Sequence, residues 1–283
     1  MPLHLKLHTQ PEVPLEADCI CPDKIQSLKD SEISSMIVFH GNRQVKLGEF
    51  FDCKGAFDGE IIIDGDLNNV KHIGASMTFG KIIVEGNIGL HTGAAMHGGE
   101  IIIEGNASDW LAAEMQGGKI TVKGNAGHMT GSGYRGSTVG MQGGEIFIHG
   151  NVKNETGHVM RRGLIVIGGD SGDFTGVNML AGTIIVLGSM GIRTGAGMRR
   201  GSIICFNEAE ILPTFMRNCE YQPSFIKFYI NYLEKNGFSI DSSYTNGTFE
   251  RWSGDSVELN RGEILLSTKK ANKIVLSPRG TTQ

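Results

Sequence analysis

Two arginine doublets, Arg161-Arg162 and Arg199-Arg200, each lie inside the string MRRG, and a third basic group, Tyr134-Arg135, sits in the string GYRG. These are the residues whose type and spacing could do chemistry. A guanidinium offers a planar fork of donors that fits carboxylate or phosphate, so such pairs point to binding an anion or an acidic tail. A solvated or salt-bridged face is the competing reading of the same arginines. Bond-making chemistry has less to stand on. There is no G-x-S-x-G, H-E-x-x-H or Walker string, and GSGYRG lacks the strand-to-helix setting that dinucleotide binding needs. The nine histidines are dispersed; His91 and His97 fall on successive segments of one repeat and could approach each other, but two imidazoles make a thin metal site. Cys19, Cys21, Cys53, Cys205 and Cys219 are odd in number and form no C-x-x-C pair, which reads as reduced, partly buried thiols. We expect no metal and no catalytic residue in this chain.

The elements that position these groups repeat. In register the chain reads GEIIIDGDLNNVKHIGASMTF from Gly59, GKIIVEGNIGLHTGAAMHG from Gly80 and GEIIIEGNASDWLAAEMQG from Gly99, and the pattern continues from Gly118, Gly144, Gly163 and Gly182. An eighth copy starts at Gly201 and dissolves. Self-similarity at this period means a solenoid, and the G-x-I-x-V-x-G core of each unit is a short strand fenced by glycine turns. The expected fold is therefore all-β, a right-handed parallel β-helix of G-x-G-x-G repeats over 55–206. An N-terminal cap, 1–54, and a C-terminal extension, 207–283, with one helix and final strands, complete it.

Alternation along the strand sorts its side chains. Ile82/Val84, Ile101/Ile103, Ile146/Ile148 and their equivalents should stack inward, joined by Met77, Met96, Met115, Met141, Met160, Met179 and Met198. The first outward row, Glu60, Lys81, Glu100, Lys119 and Glu145, alternates in sign and helps hold the register. The middle outward row, Ile62, Ile83, Ile102, Thr121, Phe147, Val166, Ile185 and Ile204, is apolar but for one threonine, so a cover is required, and Ile83, Ile102, Phe147, Val166 and Ile185 are the expected partner interface. Part of that cover can come from within. Phe225, Phe228, Tyr229, Tyr232 and Leu233 form one apolar face of a helix in the extension.

One repeat is long. Tyr134 stands at the methionine place, Met141 restarts the count, and YRGSTVG between them reads as an inserted loop, either a recognition element or a register-correcting bulge. Formal net charge is -4 and glycine numbers 41 against 7 prolines, which disfavours nucleic acid, anionic lipid and collagen-like structure. The N-terminus shows no secretory apolar core and no run is long enough for a membrane span, so a cytoplasmic protein is expected.

The seven copies in register, the YRG…GMQGG interruption and the MRRG strings together resemble the C subunit of formylmethanofuran dehydrogenase, a family of the G-x-G-x-G superfamily. The likeness is strong over Gly59–Cys205 and extends to GNRQVKLGEFFD and RWSGDSVELNRGEILL. Within the family, ILPTFMRNCEYQPSFIKFYINYL and GNASDWLAAEM look more like the bacterial branch. That branch implies a formyltransferase/hydrolase complex of methylotrophs, which moves a formyl group from tetrahydromethanopterin to a methanofuran-type carrier and hydrolyses it to formate during formaldehyde oxidation. The archaeal branch would imply the tungsten or molybdenum dehydrogenase of methanogens. Either implies partners that hold the catalytic groups, namely the hydrolase-like A subunit, the B subunit and the formyltransferase, leaving this chain a scaffold. Tyr134, Arg135, Arg161, Arg162, Arg199 and Arg200 are the candidates for contact with the carrier.

Overall fold

The computed structural model describes residues 2–207 and 209–269. Its repeats each contribute one strand, Glu60–Asp64, Lys81–Val84, Glu100–Ile103, Lys119–Val122, Glu145–Ile148, Leu164–Ile167, Thr183–Val186 and Arg200–Cys205. These pair in parallel without slippage, so that Ile82, Ile101, Ile120, Ile146, Ile165 and Ile184 stand side by side. Parallel strands buried on one face need a crossover between them, and each repeat supplies it by folding back through a second parallel stack. Isolated bridges there link Leu67 to Ile88, Ile88 to Ala107, and Val152 to Ser171 to Met190. The result is a mostly β chain dominated by one large, parallel-rich sheet. Between the two stacks lies the core, where the inward aliphatics and all seven ladder methionines are fully buried.

Turning the chain within so few residues requires left-handed backbone. His72, His91, Trp110, Met129, Glu155, Phe174 and Arg193 occupy one corner with φ between 58° and 64°. For such side chains this conformation costs about 1–2 kcal/mol each. In all but Arg193 it aims the N–H at the next repeat: Trp110 N–H donates to His128 O at 2.9 Å and Phe174 N–H to Ile192 O at 3.0 Å. A side-chain ladder that the sequence pattern does not announce does the same at another corner. Asn87, Asn106, Asn125, Asn151 and Asp170 each accept, through a side-chain oxygen, the backbone N–H of the equivalent residue one repeat on, at 2.7–2.8 Å. Its only sequence signal is the asparagine that recurs after glycine, which turn chemistry alone would also explain.

The ends are built from distant sequence. Leu3–Leu7 pairs in parallel with Glu60–Asp64 and antiparallel with Phe51–Lys54. At the other end the apparently dissolving eighth copy pairs in register with Arg261–Ser267, Arg200 beside Arg261 and Ile203 beside Ile264. Residues between them carry the strands Met216–Tyr221 and Phe249–Gly254 and the helix Ile226–Lys235. Residues 270–283 of the expected extension lie outside the described ones.

The helix corrects one expectation. Its buried face is Ile226, Ile230 and Leu233, whereas Phe228 is 77% exposed and Tyr232 37%. Aliphatic side chains fit between the β-branched residues of the sheet, while a tyrosine keeps its hydroxyl where it finds an acceptor. Tyr232 Oη donates to the Glu145 carboxylate at 2.7 Å.

Candidate functional site: an arginine pocket, an aromatic stack and a half-covered strip

Arg161, Leu180 and Arg199 hold the same place in three successive repeats, as do Arg162, Ala181 and Arg200. Backbone bonds fix this register, from Leu180 N–H to Met160 O and from Arg199 N–H to Met179 O, both 2.8 Å. The small middle residues leave a hollow of about 520 Å³ walled by all four arginines, floored by Leu180, Ala181 and backbone at Gly163 and Gly182, and rimmed by Leu259. Both doublets are thus brought to one concavity. Arg199 Nε donates to Glu258 at 3.1 Å; Arg161, Arg162 and Arg200 have no carboxylate partner among the described residues.

Tyr134 and Arg135 lie elsewhere. The loop containing them leaves the coil at Gly133 and rejoins at Gly140, and these two glycines touch. Met141, fully buried, takes the methionine place, so Tyr134 is free to turn outward. Its ring stacks on Trp110 with centroids 5.1 Å apart, and its Oη lies 3.0 Å from His91 Nδ1. His91 stacks in turn on His72 at 4.8 Å. Burial, then His72 and Lys71, pull the His91 imidazole down to about 4, so at neutral pH it is uncharged. Burial and Glu114 push the Tyr134 phenol up. Arg135 is exposed and His97 takes no part in this stack. Among the described residues no group of three or more His, Cys, Asp or Glu is placed to hold a metal ion. The five cysteines are unpaired.

A second imidazole shares this property. His149 stacks on Phe238 with centroids 4.4 Å apart, its Nε2 is buried without a partner, and burial followed by Lys123 pulls it down to about 4. Both histidines fold neutral, whereas in the unfolded chain they take a proton near the ordinary value of 6.5. Stability from this source is therefore full above pH 6.5 and is lost as pH falls from 6.5 towards 4. We expect the urea midpoint to drop between pH 7.5 and pH 5, and His149→Phe to lessen the drop; equal drops in both proteins would contradict this.

The apolar strip is split. Phe147, Val166 and Ile185 are fully buried by the chain's own Ile226, Ile230, Leu233, Phe238 and Tyr244. They are therefore unavailable to a partner in this fold, because the extension folds back over them. Ile62, Ile83 and Ile102 stay half-buried, and among the described residues the apolar layer over Phe147 does not extend to them. Beside them stand Asp64, Glu85 and Glu104, carried in register by Glu85 N–H to Ile63 O and Glu104 N–H to Val84 O.

With this geometry in hand, comparison with known proteins is informative. A family model described as the GXGXG motif matches residues 100–223. Over 86 residues, 29% of the chain, it is 49% identical to the C subunit of tungsten-containing formylmethanofuran dehydrogenase 2 from Methanothermobacter thermautotrophicus. Over 81 residues, 28% of the chain, it is 46% identical to the C subunit of molybdenum-containing formylmethanofuran dehydrogenase 1 from Methanothermobacter marburgensis. These stretches span 32% and 20% of the relatives' own lengths. A crystal structure of the formyltransferase/hydrolase complex (FhcABCD) from Methylorubrum extorquens, in complex with methylofuran, contains a chain that matches with TM-score 0.86 and 29% identity. That match covers 94% of this chain and 100% of the other. The chain thus carries the GXGXG motif over residues 100–223, is similar over a segment to formylmethanofuran dehydrogenase C subunits, and shares its fold along nearly its whole length with a chain of the FhcABCD complex.

Proposed function

We propose that this chain is a non-catalytic scaffold subunit of a cytoplasmic formyltransferase/hydrolase complex. That complex would move a formyl group from tetrahydromethanopterin to a methanofuran-type carrier and release formate. The observation that carries this reading is the likeness to a chain of the FhcABCD complex across nearly the whole length of both. The C subunit of a tungsten or molybdenum dehydrogenase is the second reading, favoured by the segment identities.

A non-catalytic role is supported by the electrostatics. The one close phenol–imidazole pair among the described residues, Tyr134 and His91, has its phenol pushed up and its imidazole pulled down, so neither group is poised to exchange protons near pH 7. A scaffold role is supported by the coil, which we read as a right-handed parallel β-helix over 55–206 with 1–54 capping its first strand. Two parallel stacks per repeat make a rigid rod, suited to holding partner active sites a fixed distance apart. The hydrolase-like A subunit, the B subunit and the formyltransferase are the partners this reading requires, and carrier and pterin would be worked on them.

Ile62, Ile83 and Ile102 are then the strip left for a partner. Tagged chain purified gently should bring formyltransferase and hydrolase subunits and formate-producing activity. Ile102→Lys should release them while leaving the melting temperature within a few degrees of the parent. A chain that purifies alone would refute the reading, and a full complex retained by Ile102→Lys would refute the strip as a required attachment; tungsten or molybdenum in the purified complex would select the second reading.

A further inference from the structure

The arginine pocket is a charge arrangement that the coil itself does not use. Four guanidinium groups face one hollow, two repeats apart, at roughly 10 Å from the strand spacing. Convergent like charges cost energy unless an anion neutralises them, and among the described residues one carboxylate meets them, Glu258 on Arg199.

The anion's class follows from the walls. Duplex or single-stranded nucleic acid needs an extended basic field and stacking surfaces, whereas this chain is net negative and the hollow is lined by no aromatic ring. Its floor and rim are Leu180, Ala181 and Leu259, the last 53% exposed. Leucine beside arginine suits a peptide in which carboxylates flank an apolar side chain. We propose that this pocket docks an acidic peptide segment of a partner protein in the complex. Its carboxylates pair with Arg161, Arg162 and Arg200, its apolar side chain lies on Leu180 and Leu259, and Glu258 acts as an internal competitor holding Arg199. The proposal deepens the scaffold reading by naming a second attachment point, at the end of the rod opposite Ile62.

A direct binding measurement tests it with the full-length chain and a fluorescein-labelled Glu-Glu-Leu-Glu-Glu peptide, followed by polarisation at low and physiological salt. Saturable binding is expected, weakened about tenfold or more by Arg161→Ala/Arg162→Ala, since hydrogen bonds to charged groups are the strong ones. Glu258→Gln should tighten it several-fold by freeing Arg199, and Arg135→Ala, outside the pocket, should leave it unchanged. All substituted residues lie at the surface, so the variants are expected to fold, and their melting temperatures check this. Unchanged affinity in the double variant would overturn the proposal. So would displacement by an oligonucleotide as effective as by unlabelled peptide, which would make the pocket a general anion site. Co-purification of partners does not depend on this outcome, so pocket and scaffold fail separately.

Discussion

Phe147→Asp is expected to strip the C-terminal layer from the sheet. Phe147 is fully buried, its ring centroid 6.1 Å from those of Phe238 and Tyr232, in a cluster that joins four repeat strands to the helix. Truncating a core phenylalanine costs about 3–5 kcal/mol, and an uncompensated buried carboxylate adds to this. The inward ladder of Ile146 and Ile148 belongs to a separate cluster and should survive. Limited proteolysis should therefore cut early between residues 209 and 250 while the repeats remain protected, with a melting temperature lowered by several degrees. A protected extension and parental melting would mean that the strip is not held as described. On the alternation pattern alone the same substitution would be chosen to release a partner, and the structure changes its meaning from interface to core.

Gly118→Val should be still more damaging, because it strikes the coil. Gly59, Gly80, Gly99, Gly118, Gly144, Gly163 and Gly182 immediately precede repeat strands, all at positive φ, +86° for Gly118. A Cβ there would stand 2.7 Å from the Met96 methyl and 2.9 Å from the Gly99 carbonyl oxygen. Left-handed backbone in a β-branched residue and a clash with the neighbouring repeat together cost about 3 kcal/mol or more. The methionine end can swing aside, but the carbonyl belongs to the sheet ladder and cannot move without opening a rung. Since each repeat is stabilised by its neighbours, the loss should spread along the array. Circular dichroism melting and soluble yield would register it. A Gly118→Val protein as stable as the parent would show that the corner tolerates a side chain.

These two substitutions mark the division between what was legible and what was not. A contact that recurs with the period is encoded locally many times over. The isoleucine and methionine ladders, the alternating charges realised as the Lys81–Glu60 and Lys119–Glu100 pairs at 3.2 and 3.7 Å, and the convergence of the MRRG strings could all be read from one repeat laid on the next. The long repeat was legible as an insertion but not in its consequence. Tyr134 shares the methionine register by count, yet the closed neck at Gly133 and Gly140 removes it from the core and places its ring on Trp110.

By itself the sequence determined a stacked, mostly parallel β chain, its inward ladders, its glycine corners and the places where arginine gathers, because a 19-residue spacing puts each residue beside its own copy. Only the tertiary structure decided what covers the outward face. Whether Phe147 is core or interface depends on a chain that leaves at Phe206 and returns at Arg261, and no periodicity links those segments. The helix orientation was decided there too, since hydrophobicity alone does not separate Ile226, Ile230 and Leu233 from the aromatic edge that ends in Phe228; shape against Val166 and Ile185 does. What the described residues leave outside that layer, the half-buried strip at Ile62, Ile83 and Ile102 and the hollow between two arginine doublets, follows from that same return path.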